Sequence, residues 1–177
     1  AEMLIGRLQH PNVTGVHFPN DSQVLGWGEI IPLLLVPRNS RRRHLIWTHP
    51  LRRYNDAKSM IPALLHLGAH ILDDLSMKVA VVISGDLSHT HRADGPYGYS
   101  KTSAIMDQAL EMWARNPCAN SDALLTTAAS HQVSALSCGF TGFVLLHGVL
   151  CTGSSSDDSS WDSRVLVNTN ATYYGMM

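Results

Sequence analysis

Val79-Ala80-Val81-Val82-Ile83-Ser84-Gly85-Asp86-Leu87-Ser88-His89 is the stretch whose reading decides the fold. Its first five residues are apolar and mostly β-branched, a pattern that fits a strand covered on both faces, as in the centre of a parallel or mixed sheet. The polar loop that follows then falls at the carboxyl end of a strand. In α/β sheets ligands gather there, because such loops carry polar groups without disturbing the core. Gly85 lets the chain turn sharply, and His89 is placed to project from the loop. An imidazole exchanges its proton near neutral pH, so His89 is a candidate general acid or base. The competing and commoner role of a lone loop histidine is a hydrogen bond to nearby backbone. His91 invites a metal reading with His89, but a single His-x-His is weak evidence for one.

Outward from this stretch, helical and extended patterns alternate. Toward the N-terminus, Ile30 to Val36 is continuously apolar; Pro32 fits the first turn of a helix there, and Pro37 would end it. His44 to Thr48 reads as a short buried strand closed by Pro50. Between Asp56 and Leu72, the residues Met60, Ile61, Leu64, Leu65, Leu67 and Ile71 recur at helical spacing. Toward the C-terminus, Ser100 or Thr102 caps a predicted helix containing Ile105, Met106, Ala109, Leu110 and Trp113, and Pro117 stops it. Ser121 caps a second through Ala129, and a third apolar stretch covers Phe140 to Leu150. Ser154 to Ser160 is a Ser- and Asp-rich loop, and Arg164 to Asn168 and Ala171 to Met177 read as two final strands. The expected class is therefore α/β, a mixed and mostly buried sheet flanked by helices.

Size and composition bound the function. The 177 residues fit a single domain over 1–177 with one substantial core. Only 15% of residues are charged against a usual share of about a quarter, which hints at surface covered by a partner. A net charge of −1 gives no field to attract nucleic acid or acidic lipid. The basic cluster Arg38, Arg41, Arg42 and Arg43 reads as a solvated loop, and no apolar run is long enough for a membrane span. Three cysteines, Cys118, Cys138 and Cys151, form no CxxC; their odd number argues against a disulfide framework and favours a reducing intracellular compartment. Cys138 beside Gly139 reads as a small buried residue, since a thiolate would need a cationic neighbour. Asp73 and Asp74 read as solvent-facing, and Asp86, Ser88 and His89 are too close along one loop to meet as a triad.

Four stretches in order carry a family resemblance. Ser84-Gly85-Asp86-Leu87-Ser88-His89, then Gly95-Pro96-Tyr97-Gly98-Tyr99 and Asp107, resembles the signature block of class III extradiol ring-cleavage dioxygenases of the LigB type and their Memo-like relatives. Gly28 to Leu33 is similar to the family's Asp-His-Gly helix start, Cys138-Gly139 with Gly148-Val149-Leu150 to its Glu-Cys-Gly helix, and Thr172 to Met176 to its last strand. The resemblance implies a site in which two His and a carboxylate hold Fe(II), or zinc in some relatives, leaving positions for a catecholate and O2. It puts His89 in an acid/base role.

The departures from that family matter as much. Trp27 stands where the partner acid/base His is expected, and Ser137 stands where the ligand carboxylate is expected. The resemblance places the two ligand His upstream of Ala1, so an incomplete domain is expected, its sheet covered by another polypeptide or by an N-terminal segment. No metal or cofactor is expected in this chain. Three functions follow: an extradiol-like protein without ring cleavage that serves as an assembly subunit, a segment of an active Fe(II) dioxygenase whose ligands lie elsewhere, or a Memo-like binding module. Trp27 is expected to fill the vacated volume beside the His89 loop.

Overall fold

A computed structural model describes residues 25–36, 57–73, 78–152 and 161–177. The predicted strand at 44–48, the basic cluster at 38–43 and the loop at 154–160 lie outside these residues. Helix α1, Trp27–Leu35, starts after Gly26 with Glu29 in its first turn, where a carboxylate suits the positive end of the helix dipole. Pro32 lies inside this helix, not in its first turn, and so removes one backbone donor from the ladder. No residue of α1 is buried. Helix α2, Ile61–His70, carries Pro62 in its first turn, where its missing N–H costs nothing.

Helix α3, Thr102–Arg115, is introduced by Ser100, whose Oγ accepts the Thr102 N–H at 3.3 Å. A π-helical turn, Ala123–Ala128, runs directly into α4, Ala129–Ala135, which ends at Leu136 in the left-handed region (φ 57°). Helix α5, Phe140–Cys151, is apolar almost throughout and buries Phe140, Phe143, Val144, Leu145, His147, Gly148 and Val149.

The core forms where α2 crosses α5 and where α3 packs on the π turn and α4. Leu64, Leu67, Met106, Leu110, Leu124, Phe140 and Val144 are almost wholly excluded from solvent. The α2–α5 crossing is backbone against backbone: a Cβ on Gly68 would sit 2.1 Å from the Leu145 carbonyl oxygen, and one on Gly148 would sit 2.5 Å from that of Leu65.

Within this core the Trp113 indole N–H donates to His147 Nδ1 at 3.1 Å. Burial pushes the His147 imidazole below its usual range. The unfolded chain therefore holds that proton more tightly than the folded one. Stability from this residue is present above the unfolded imidazole pKa of about 6.5 and is lost as pH falls below it. His147→Gln, which offers the indole a neutral acceptor, is expected to flatten the fall in Tm on acidification below that pH. An unchanged slope would show that His147 plays no part in it.

The structure overturns the expected fold class. The described residues are helical and contain no sheet; the only pairings are isolated antiparallel bridges, His91 with Tyr99 and Thr169 with Met176. Residues 79–83 are without a strand partner among the described residues, and Val79 and Val82 are 45% and 62% exposed. Arg164 to Asn168 forms no strand either, and Leu166 is 85% exposed. A β-branched run favours extended backbone, but burial depends on neighbours that the run does not specify. The expectation of a covering partner rests on a sheet that the described residues do not contain; among them, large apolar side chains are exposed on α1, at Trp27, Ile31, Leu34 and Leu35, as well as at Val82 and Leu166. No helix among the described residues is long and apolar enough to cross a membrane.

The cysteine reading is also corrected. Cys118 and Cys151 form a disulfide across 33 residues, with Cα atoms 5.3 Å apart, and Cys138 is the free thiol. The pairing removes the argument from cysteine count for a reducing compartment. It escapes sequence inspection because a 33-residue interval belongs to no recognisable cysteine motif.

Candidate metal centre

The loop from Asp86 to His91 is held on both sides by main-chain bonds. On one side Leu87 N–H donates to Gly175 O at 2.9 Å, Gly175 N–H to Ser88 O at 2.7 Å and His91 N–H to Tyr173 O at 3.1 Å. On the other, His89 N–H reaches Ala135 O at 2.8 Å and Gly139 N–H reaches Asp86 O at 3.0 Å. Gly85 serves close approach here and not a left-handed turn: a Cβ on it would lie 2.5 Å from Gly139 Cα. That contact presses Asp86 against Cys138, although 52 residues separate them.

Three side chains with ligand chemistry converge as a result. Asp86 Oδ2 lies 3.1 Å from His89 Nε2 and 3.7 Å from Cys138 Sγ, and the ligand atoms of all three fall within 4.8 Å of one another. The Asp86 backbone N–H also donates to Cys138 Sγ at 3.0 Å. Burial, reinforced by the Asp86 carboxylate, pushes the Cys138 thiol above its usual pKa, so it is protonated at neutral pH. His89 is 9% exposed and its buried Nδ1 has no hydrogen-bond partner. Its ring stacks on Tyr97 at 5.3 Å and meets Tyr174 edge-on at 6.2 Å.

Of the sequence-derived site residues, His89 is therefore in a built site and Ser137 is beside it. Ser137 is 2% exposed, and its Oγ donates to Asp86 O at 3.0 Å, so it supports the loop that carries Asp86. Trp27 is 71% exposed, which excludes the expected filling of a volume beside His89. Sequence reading does not single out Asp86 or Cys138 as candidate ligands: Asp86 enters through the Ser84–His89 motif and as a triad residue type, Cys138 through the Cys138-Gly139 motif and as a small buried residue. The signal available was an Asp three residues before His89, since that interval lets both side chains reach one point.

Ser88, His91 and Asp107 form a second, deeper polar knot. Ser88 Oγ donates to Asp107 Oδ1 at 2.5 Å, and His91 Nε2 lies 2.6 Å from Asp107 Oδ2. Asn170 Nδ2 faces His91 Nδ1 at 3.1 Å, so Nδ1 accepts and Nε2 carries the proton given to Asp107. Burial raises the Asp107 carboxyl above its usual range, against the opposing effects of Ser88 and His91. Ser88 is fully buried, so this trio is not a nucleophilic triad despite its residue types.

Compared with known proteins, the chain matches no protein-family model, no curated protein and no solved structure.

Proposed function

We propose that this chain is a metal-binding, extradiol-dioxygenase-like module that does not cleave aromatic rings. The observation that carries this reading is the convergence of Asp86, His89 and Cys138 within 4.8 Å. A thiolate, an imidazole and a carboxylate make a donor set suited to zinc or another thiophilic ion, with a fourth position open. Loading requires Cys138 to give up its proton, as thiol ligands do. Extradiol cleavage asks for something different: two imidazoles and a carboxylate around Fe(II), with room for both catecholate oxygens and O2. Among the described residues the cluster has one imidazole, and in the resemblance Trp27 stands at the position of the partner acid/base His and Ser137 at that of the ligand carboxylate. The resemblance covers the Memo-like relatives as well, so a binding role stands beside that of an assembly subunit. A partner polypeptide belongs to the same proposal, with the apolar face of α1 as the surface it would cover.

The test is titration of the purified chain with Zn2+, and with Co2+ as a spectroscopic reporter. One equivalent is expected to bind, with a sulfur-to-cobalt charge-transfer band. Cys138→Ser and His89→Ala should each weaken binding by roughly 100-fold, the scale at which metal sites respond to altered ligand shells. Binding unaffected by Cys138→Ser would end the proposal. In parallel, Fe(II)-supplemented protein should consume no oxygen with catechols; turnover would reinstate the dioxygenase reading.

A further inference from the structure

The end of α3, the end of α5 and the returning segment at 161–163 meet in one place, far along the chain from His89. Arg115, Asn116, Pro117, Cys118, Leu150, Trp161, Asp162 and Ser163 line an open cleft of about 270 Å³ there. Cys118 of the Cys118–Cys151 bridge is among the residues that line the cleft, and both cysteines are half-buried. Structural disulfides are usually shielded from attacking thiols, and access is one of the factors that sets how fast exchange proceeds. The cleft opens on the Cys118 side, and its charged lining is mixed, with Arg115, itself paired to Glu111, and Asp162.

Among the described residues, side-chain bonds tie the returning segment and the residues after it to α3. Ser163 Oγ donates to Ala114 O, and Asn168 Nδ2 donates to Glu111 Oε2 at 2.7 Å. Trp161 remains 49% exposed. The disulfide adds a covalent tie to this region by fixing Cys151, the last residue of α5, to the loop after α3.

We infer that Cys118–Cys151 is a thiol–disulfide exchange site for small dithiols, and that its redox state governs how firmly the 161–163 segment docks on the end of α3. A reductant thiolate attacks the Cys118 sulfur, the Cys118–Cys151 bond breaks, and Cys151 leaves as a thiolate that takes a proton from solvent. The second thiol of the reductant then displaces Cys118 from the mixed disulfide. The protein gains two electrons and two protons, and the dithiol becomes a cyclic disulfide. Because this site is separate from Asp86, His89 and Cys138, it stands whether or not those residues bind metal.

The experiment uses the wild-type chain purified without reductant, with dithiothreitol as the probe. Alkylation after denaturation should find one free thiol, Cys138, before treatment and three after treatment under native conditions. Native reduction should speed tryptic cleavage after Arg164 by roughly tenfold, because cleavage follows the population of the opened segment. Cys118→Ser should show the faster cleavage without reductant and no further change with it. If that variant fails to fold, the wild-type arm still decides the matter, with circular dichroism confirming retained helix. Three free thiols before treatment, a bridge that resists dithiothreitol until the protein is denatured, or unchanged cleavage after native reduction would each overturn the inference.

Discussion

Gly148→Val is expected to lower the unfolding free energy by about 3 kcal/mol or more, the upper part of the range for overpacked cores. A Cβ at this position meets the Leu65 carbonyl oxygen at 2.5 Å, Gly68 Cα at 3.0 Å and Leu65 Cα at 3.1 Å. All three are backbone atoms, so no side chain can rotate away, and α2 and α5 must separate. Separation opens the contacts that Leu64 and Leu67 make with the buried face of α5, which is the centre of the core. For a chain of this size the change corresponds to a Tm drop of about 6–12 °C. Gly28→Ala is the matched control, since a Cβ there meets nothing within 4 Å. It should be neutral or mildly stabilising. Chemical denaturation of the two variants checks both claims; a Gly148→Val midpoint within error of wild type would mean that the helices do not cross at this residue.

Asp107→Ala is expected to cost about 3 kcal/mol, because it leaves the buried donors of Ser88 and His91 without their acceptor. Both donors lie on the loop that carries His89, and the Gly175 backbone packs against the same carboxylate. Asp107 thus ties α3, the His89 loop and the C-terminal segment together. Asp107→Asn keeps one acceptor oxygen but turns an amide N–H toward the other donor, so its loss should be intermediate. Urea unfolding should show a lower midpoint for both, ordered Ala below Asn. Equal losses for the two variants would indicate that packing volume, and not hydrogen bonding, is what Asp107 contributes.

Helices were the legible part of this sequence. Met60 to Ile71 and Phe140 to Leu150 announce α2 and α5 through apolar spacing and continuity; α3 does begin at Thr102, but the cap position is Lys101 and not Ser100 or Thr102. Residues 79–83 misled, because β-branched chains favour extended backbone without saying what, if anything, lies alongside. The site divides along similar lines. His89 was visible because the motif around it is local. Cys138 was not, because its meeting with Asp86 depends on the Gly85–Gly139 approach, a tertiary event that two isolated glycines do not advertise. Trp27 was placed by analogy of position alone, and its exposure shows how little such analogy says about where a ring points.

The wide turn at Ala123–Ala128 bears on how this chain tolerates changes in length. Such a turn closes its hydrogen bonds over five residues where an ordinary helix uses four. Losing one residue from the exposed Thr126–Thr127 pair would let the segment relax to standard pitch instead of unravelling it. Downstream, Gln132 would still reach the Ser137 carbonyl and Ala135 would still receive the His89 amide, and the residues upstream would keep their facing toward α3. A one-residue deletion is therefore best accommodated here, at a point where the spare residue acts as slack in the helical register.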